Sequence, residues 1–187
     1  MKSAGKRIYY HVICDIPKSV GEHIILDKTH SNGVYKRVYE QLAVVQDIYR
    51  NPEKYRGAEL PHAVDVALRE LALEQVRKKN YSQYPSRVAA LYVSKTLKEA
   101  EQWGDYFGKL GRSTYGIAKI GVNGHVFEGD AYKCFDGSVD KAENLRMAEL
   151  YWRNGPNEDG REPIVEILAD GDIEVLEIVK EIHANID

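Results

Sequence analysis

A chain of 187 residues, 43% apolar and 29% charged, is long enough to bury one sizeable core and too evenly composed to be disordered or fibrous. Its formal net charge of −3 argues against a surface built as a whole for nucleic acid, although a local basic patch stays compatible with it. Nothing approaches the ~20 apolar residues of a membrane span. The opening "MKSAGKRIYYHVICDIPK" is too interrupted by His11 and Asp15 to read as a signal peptide, so the expected setting is the cytoplasm, with Cys14 and Cys134 as small reduced hydrophobes.

In chain order, β-branched and aromatic runs predict a strand over Ile8–Cys14 and a weaker one over Glu22–Leu26. Val34, Val38, Leu42, Val45 and Tyr49 recur at helical spacing and predict one helix over Val34–Tyr49, closed by Asn51–Pro52. A second helix is predicted over Pro61–Lys78, with Pro61 in its first turn. A strand over Val88–Val93 runs into a helix over Thr96–Leu110. There "TLKE" is a capping-box pattern and Gly111 is a stop. A strand over Tyr115–Val122, a helix over Asp140–Trp152, a loop over Arg153–Pro163 and a strand over Ile173–Ile182 complete the chain. The regular alternation of a doubly wound sheet is missing, so the expected class is α+β in a single domain, 1–187. Neither a Walker pattern nor a GxGxxG after a strand occurs, so a nucleotide would need other holders.

Three places put polar groups where a packed strand has no use for them. His11 sits in the first strand and Tyr92 in the short strand before the capped helix. Glu128 and Asp130 are two apart just after a strand, where an extended chain turns both carboxylates to one side. Gly129 between them permits close approach of a ligand or an unusual backbone angle. Taken singly, Tyr92 reads as strand packing, Ser94 as a turn residue and the two acids as solvated. His23, His30, His62, His125 and His183 have no ligand spacing, and no metal is assigned. Arg77, Lys78, Lys79 and Arg87, interleaved with Tyr81 and Tyr84, form the one stretch suited to a single-stranded nucleic acid, though cations at a helix end also answer the helix dipole. Thirteen tyrosines against three phenylalanines favour flat surfaces with a polar edge.

The order of these residues, with "LYVSKTLKEAEQWGDYF", "YGIAKIGVNGHVFEGDA" and "IEVLEIV" between Leu91 and Val179, resembles the His-Tyr-Glu/Asp pattern of ADP-ribosyltransferases. The small rifampin ADP-ribosyltransferase type is the nearest. RNA 2′-phosphotransferases share the wider fold group, and a bacterial and phage family of unknown function placed near that fold is also similar. The resemblance implies a split, mostly antiparallel sheet with a cleft, and leaves residues 34–84 as a helical insertion. It implies NAD as co-substrate: His11 on the adenine-side ribose, Tyr92 stacked on nicotinamide, and Asp130 holding the nicotinamide ribose and its oxocarbenium-like transition state. Asp130 is favoured over Glu128 because, where two acids flank one position in these enzymes, the second is essential. Ser94 joins the cofactor-binding residues, and Ser31, Asn32 and Gly33, after the first hairpin, are placed to line NAD. The implied activity transfers ADP-ribose to an acceptor that is a protein, a nucleic acid or a small molecule. An NAD glycohydrolase and a non-catalytic binding module on the same fold are the alternatives.

Overall fold

The computed structural model describes residues 6–27 and 30–182. The fold is α+β, and its strands form two antiparallel sheets. Strands β1 (Arg7–Cys14), β4 (Thr114–Asn123), β7 (Gly171–Glu181) and β2 (His23–Leu26) lie side by side in that order in a four-stranded sheet. Strands β3 (Leu91–Val93), β6 (Val165–Ala169) and β5 (Val126–Asp130) form a three-stranded one. Ile13, Ile120, Val122, Ile173 and Val175 of the first sheet meet Val93, Ile167 and Ala169 of the second, and this apolar layer joins the two. Alternation along β1 sends Tyr9, His11 and Ile13 toward that layer and Tyr10, Val12 and Cys14 to the other side, where helix α4 (Leu97–Lys109) covers them.

The three-stranded sheet is covered on its other face by α3 (His62–Asn80) and α5 (Lys141–Arg153). Leu73, Val76, Phe127, Tyr151, Trp152 and Leu168 form the core there. Between β2 and β3, helices α1 (Gly33–Tyr39), α2 (Leu42–Arg50) and α3 surround a further core of Val38, Val45, Ile48, Val64 and Leu68. The single helix expected over Val34–Tyr49 is therefore two. The chain turns at Glu40 and Gln41, whose amides bond back to the Lys36 and Val38 carbonyls, so both pieces reach α3. Pro61 is the cap of α3 and lies just outside its first turn.

Strands β5 and β6 were not expected from the sequence. Each has five residues and carries a polar or glycine interruption, Glu128 and Gly129 in one and Glu166 in the other. Their partners run on from β4 and β7. The β4/β7 pair continues into β5/β6 as one ribbon that bends from sheet to sheet at Gly124 and Gly171. His183, Lys28 and Thr29 lie outside the described residues.

Candidate functional site

The two sheets touch along a seam between β1 and β3, and the seam is one rung long. Tyr10 and Ser94 exchange both backbone hydrogen bonds, at 2.9 and 2.8 Å. The next rung is missing because a side chain takes its place: His11 Nδ1 lies 2.9 Å from the Tyr92 carbonyl oxygen. A carbonyl only accepts, so Nδ1 carries the proton and Nε2 of the neutral ring is left as an acceptor. Among the described residues no donor meets Nε2. Burial pushes the His11 pKa down to about 4, the Tyr92 bond opposes this, and Lys18 and Arg112 add to it. The ring is therefore neutral at physiological pH.

Beside the seam lies a groove of about 600 Å³. Its sheet side is Val93, Ser94, Val165 and Ile167, its helix side Glu99, Gln102, Trp103 and Tyr106 of α4, and its end wall Ala131, Pro163 and Ile164. Ser94 is only 6% exposed, yet its hydroxyl has no partner among the described residues and opens on this groove. Glu128 stands in one cross-strand row with Val93 and Ile167, two of the groove's residues, and is exposed. Lys95 spans both of its carboxylate oxygens at 2.8 and 2.6 Å. That contact raises the Lys95 pKa. A slot with an aromatic wall, a serine and Glu99 among its lining, and Glu128 exposed in the same strand row, has the make-up of a small-molecule site.

The expected residues do not all converge here. Tyr92 lends its carbonyl to His11, but its ring is on the opposite face of the sheet. It packs beside the Phe127–Leu168 core with the Arg87 guanidinium 5.6 Å from its centre. Burial pushes its pKa far up. This corrects the nicotinamide-stacking role, because alternation in so short a strand turns Leu91 and Val93, not Tyr92, toward the seam. Asp130 is 1% exposed and fully engaged by the chain: it accepts from the amides of Tyr132 and Ile164, both at 3.0 Å, and from Asn157 Nδ2 at 2.8 Å. Of the two acids, Asp130 is thus taken up by the chain and Glu128 stays exposed. Both acids leave the strand on one side, but the loop over Asp130 closes it off.

Asn32 is also structural. Its side chain caps α1 at Val34 N, 2.9 Å, and donates to the carbonyls of Arg87 and Ala90 at 2.7 and 2.8 Å. Ser31 and Gly33 beside it are exposed and do not line the groove. The space above Gly129 is filled by the Phe127 ring and the Tyr151 hydroxyl, with no room for a ligand. In the basic stretch Lys78 and Lys79 stay exposed, while the arginines turn inward. Arg77 bonds Glu74 and the Tyr84 carbonyl, and Tyr81 donates to Glu149.

Arg87 is buried at the centre of a network that sequence reasoning missed. Its guanidinium binds Glu70 through two nitrogens and reaches Glu166 and the Tyr151 hydroxyl through a third, at 2.5 and 2.7 Å. Burial works against the ionised Glu70, and Arg87 overrides it, so the carboxyl stays below its usual range. Cys134 lies 3.6 Å from Glu166, and burial pushes its thiol up to about 12. The signal in the sequence was Glu166 inside the apolar "VEILA", a charge that a buried strand accepts only with a partner. Among the described residues no three His, Cys, Asp or Glu side chains group to hold a metal ion, and no helix is long and apolar enough to cross a membrane.

The family model described as "Protein of unknown function (DUF2441)" matches residues 9–181, nearly the whole chain. The chain belongs to this family. The match spans both sheets, the seam and the groove, so the site described above lies wholly inside the family's shared region. No curated protein matches the chain.

Proposed function

We propose that the protein is an NAD-dependent ADP-ribosyltransferase whose site is the seam and groove, with Glu128 as its acid. The reading is carried by one observation: an imidazole wedged where the sheets part, with no protein donor on its Nε2 among the described residues, one residue along from the Tyr10–Ser94 rung whose serine lines the groove. Both are groups a ribose or carboxamide can bond, and the order of motifs in the sequence supports the same chemistry. In this reading the C1′–N bond of NAD breaks, the bonding electrons leave with neutral nicotinamide, and the ribose carbon becomes cationic. An acceptor attacks that carbon and loses its proton. Glu128 at the rim stabilises the developing charge and holds the ribose 2′-hydroxyl, as a carboxylate does in glycoside chemistry. No acid is needed for the leaving group. His11 Nε2 accepts from a ribose hydroxyl. The planar surface is Trp103 rather than Tyr92, because Trp103 lines the groove.

The test is nicotinamide release from NAD, alone and with protein, nucleic-acid and small-molecule acceptors. Wild-type protein releases nicotinamide, and Glu128→Gln lowers the rate about 100-fold with an unchanged melting curve. Free ADP-ribose without labelled acceptor makes the enzyme an NAD glycohydrolase. No release under any of these conditions overturns the reading. A second reading, a binding module that kept the fold, is favoured by the burial of the Tyr92 ring and the engagement of Asp130. Binding of unaltered NAD would support it.

A further inference from the structure

Asp130 ends β5, and apart from the Tyr132 amide two residues on, the donors it holds belong to the segment that returns over that end. The segment after α5, residues 154–164, is fastened at three points along the last residues of β5. Asn154, the left-handed cap of α5, donates from Nδ2 to the Glu128 carbonyl at 2.8 Å. Asn157 donates to Asp130 Oδ2 at 2.8 Å and to the Arg161 carbonyl at 3.0 Å, which folds the loop back on itself. Ile164 N donates to Asp130 Oδ1 at 3.0 Å, and the Ile164 carbonyl accepts from Ala131 N at 2.7 Å. Pro163 and Ile164, with Ala131, are the end wall of the groove.

We infer that Asp130 is a positioning residue: through Asn157 and Ile164 it sets the loop that closes the groove, and this wall decides what the groove admits. The carboxylate is suited to the task because it accepts all three donors at once. A loop of glycine, proline and asparagine has little apolar contact of its own and depends on such fastening. Held this way, the wall keeps a flat ligand against Trp103, with Glu99 in the groove lining and Glu128 exposed on the strand beside it. The functional half of this inference rests on the reading proposed above, while the structural half does not.

The decisive experiment exchanges donor and acceptor. Asp130→Asn turns an amide against the Asn157 amide, and Asn157→Asp in the same protein restores one hydrogen bond with the carboxylate moved to the loop. The first readout is tryptic cleavage after Arg161, which needs no ligand. The second is the KM and kcat for nicotinamide release from NAD. The single variants Asp130→Asn and Asn157→Ala are expected to be cut about tenfold faster, with KM raised more than kcat is lowered. The exchanged pair is expected to recover both. Unchanged cleavage in the single variants overturns the inference. So does an exchanged pair that recovers the loop but not turnover, since that makes Asp130 itself the reacting acid. If wild-type protein leaves NAD intact and unbound, the proposed function fails and the cleavage pattern alone decides the positioning role. Asn157→Ala leaves both backbone amides on Asp130 and keeps the test valid should Asp130 variants fail to fold.

Discussion

His11 donates from Nδ1 to the Tyr92 carbonyl in either protonation state, and it is burial that holds its pKa at about 4 against an ordinary 6.5 in the folded protein. As pH falls through 6.5 the unfolded chain takes up a proton that the folded chain refuses until about 4. The unfolded state therefore binds more protons between those values, and stability declines as pH falls across them. The contribution is complete above pH 6.5 and its loss amounts to on the order of 2 kcal/mol, discounted for a half-buried ring. Glu70 and Glu74 lose their stabilisation only below the ordinary carboxylate range, so the windows separate. His11→Asn keeps a donor for Tyr92 without a titration. Urea unfolding at steps from pH 7 to 5 is expected to fall for wild type and stay level for the variant. At the rim, the Lys95–Glu128 pair is about half exposed on both sides. Such pairs contribute roughly 0–1 kcal/mol, so a cationic ring reaching Glu128 displaces Lys95 at little cost.

The elements most dependent on one side chain are α3, β6 and α5, which meet at Arg87. With Arg87 replaced by Met, Glu70 keeps Arg69 at 3.1 Å but Glu166 is left buried with no cation. The expected loss is about 3–5 kcal/mol. Adding Glu166→Gln to that background is expected to recover more than about 1 kcal/mol, because the uncompensated charge is gone. Equilibrium urea unfolding of the single and double variants measures both. This network also marks how far the sequence could be read. Helix α4 was legible because Thr96 and Glu99 are a complete local signal, and the structure has both halves of that box. Strand β6 was not, because the reason for Glu166 lies on another element, 79 residues away at Arg87. Likewise the spacing of Glu128 and Asp130 correctly put them on one side of the strand, but which of them stays open is decided by Asn157 and Ile164. Alternation alone does not say which face of β3 meets the seam, and so Tyr92 was turned the wrong way.

At the level of the whole molecule the two sheets share a ribbon, and the groove exists because that ribbon bends. Strands β4 and β7 belong to one sheet and their continuations β5 and β6 to the other, with Gly124 and Gly171 packed face to face at the bend. A Cβ on Gly124 would stand 2.0 Å from the Asp170 carbonyl oxygen, and Gly171, at φ +87°, would bring one within 2.5 Å of the Asn123 carbonyl. Neither neighbour can move independently, since the Asp170 amide is bonded to the His125 carbonyl and its carboxylate to the His125 amide. The clash must therefore be relieved by opening the angle between the sheets, which thins the apolar layer of Ile120, Ile167 and Val175. Gly124→Ala is expected to cost about 3 kcal/mol, whereas Gly155→Ala, with nothing within 4 Å, stays within about 0.5 kcal/mol of wild type. Because the strain is shared, amide exchange should quicken in β4–β7 and β5–β6 together, and the seam at Tyr10–Ser94 should loosen with them. Quickening confined to one sheet would mean that the sheets are coupled only by their apolar layer and that the ribbon is not the hinge on which the site depends.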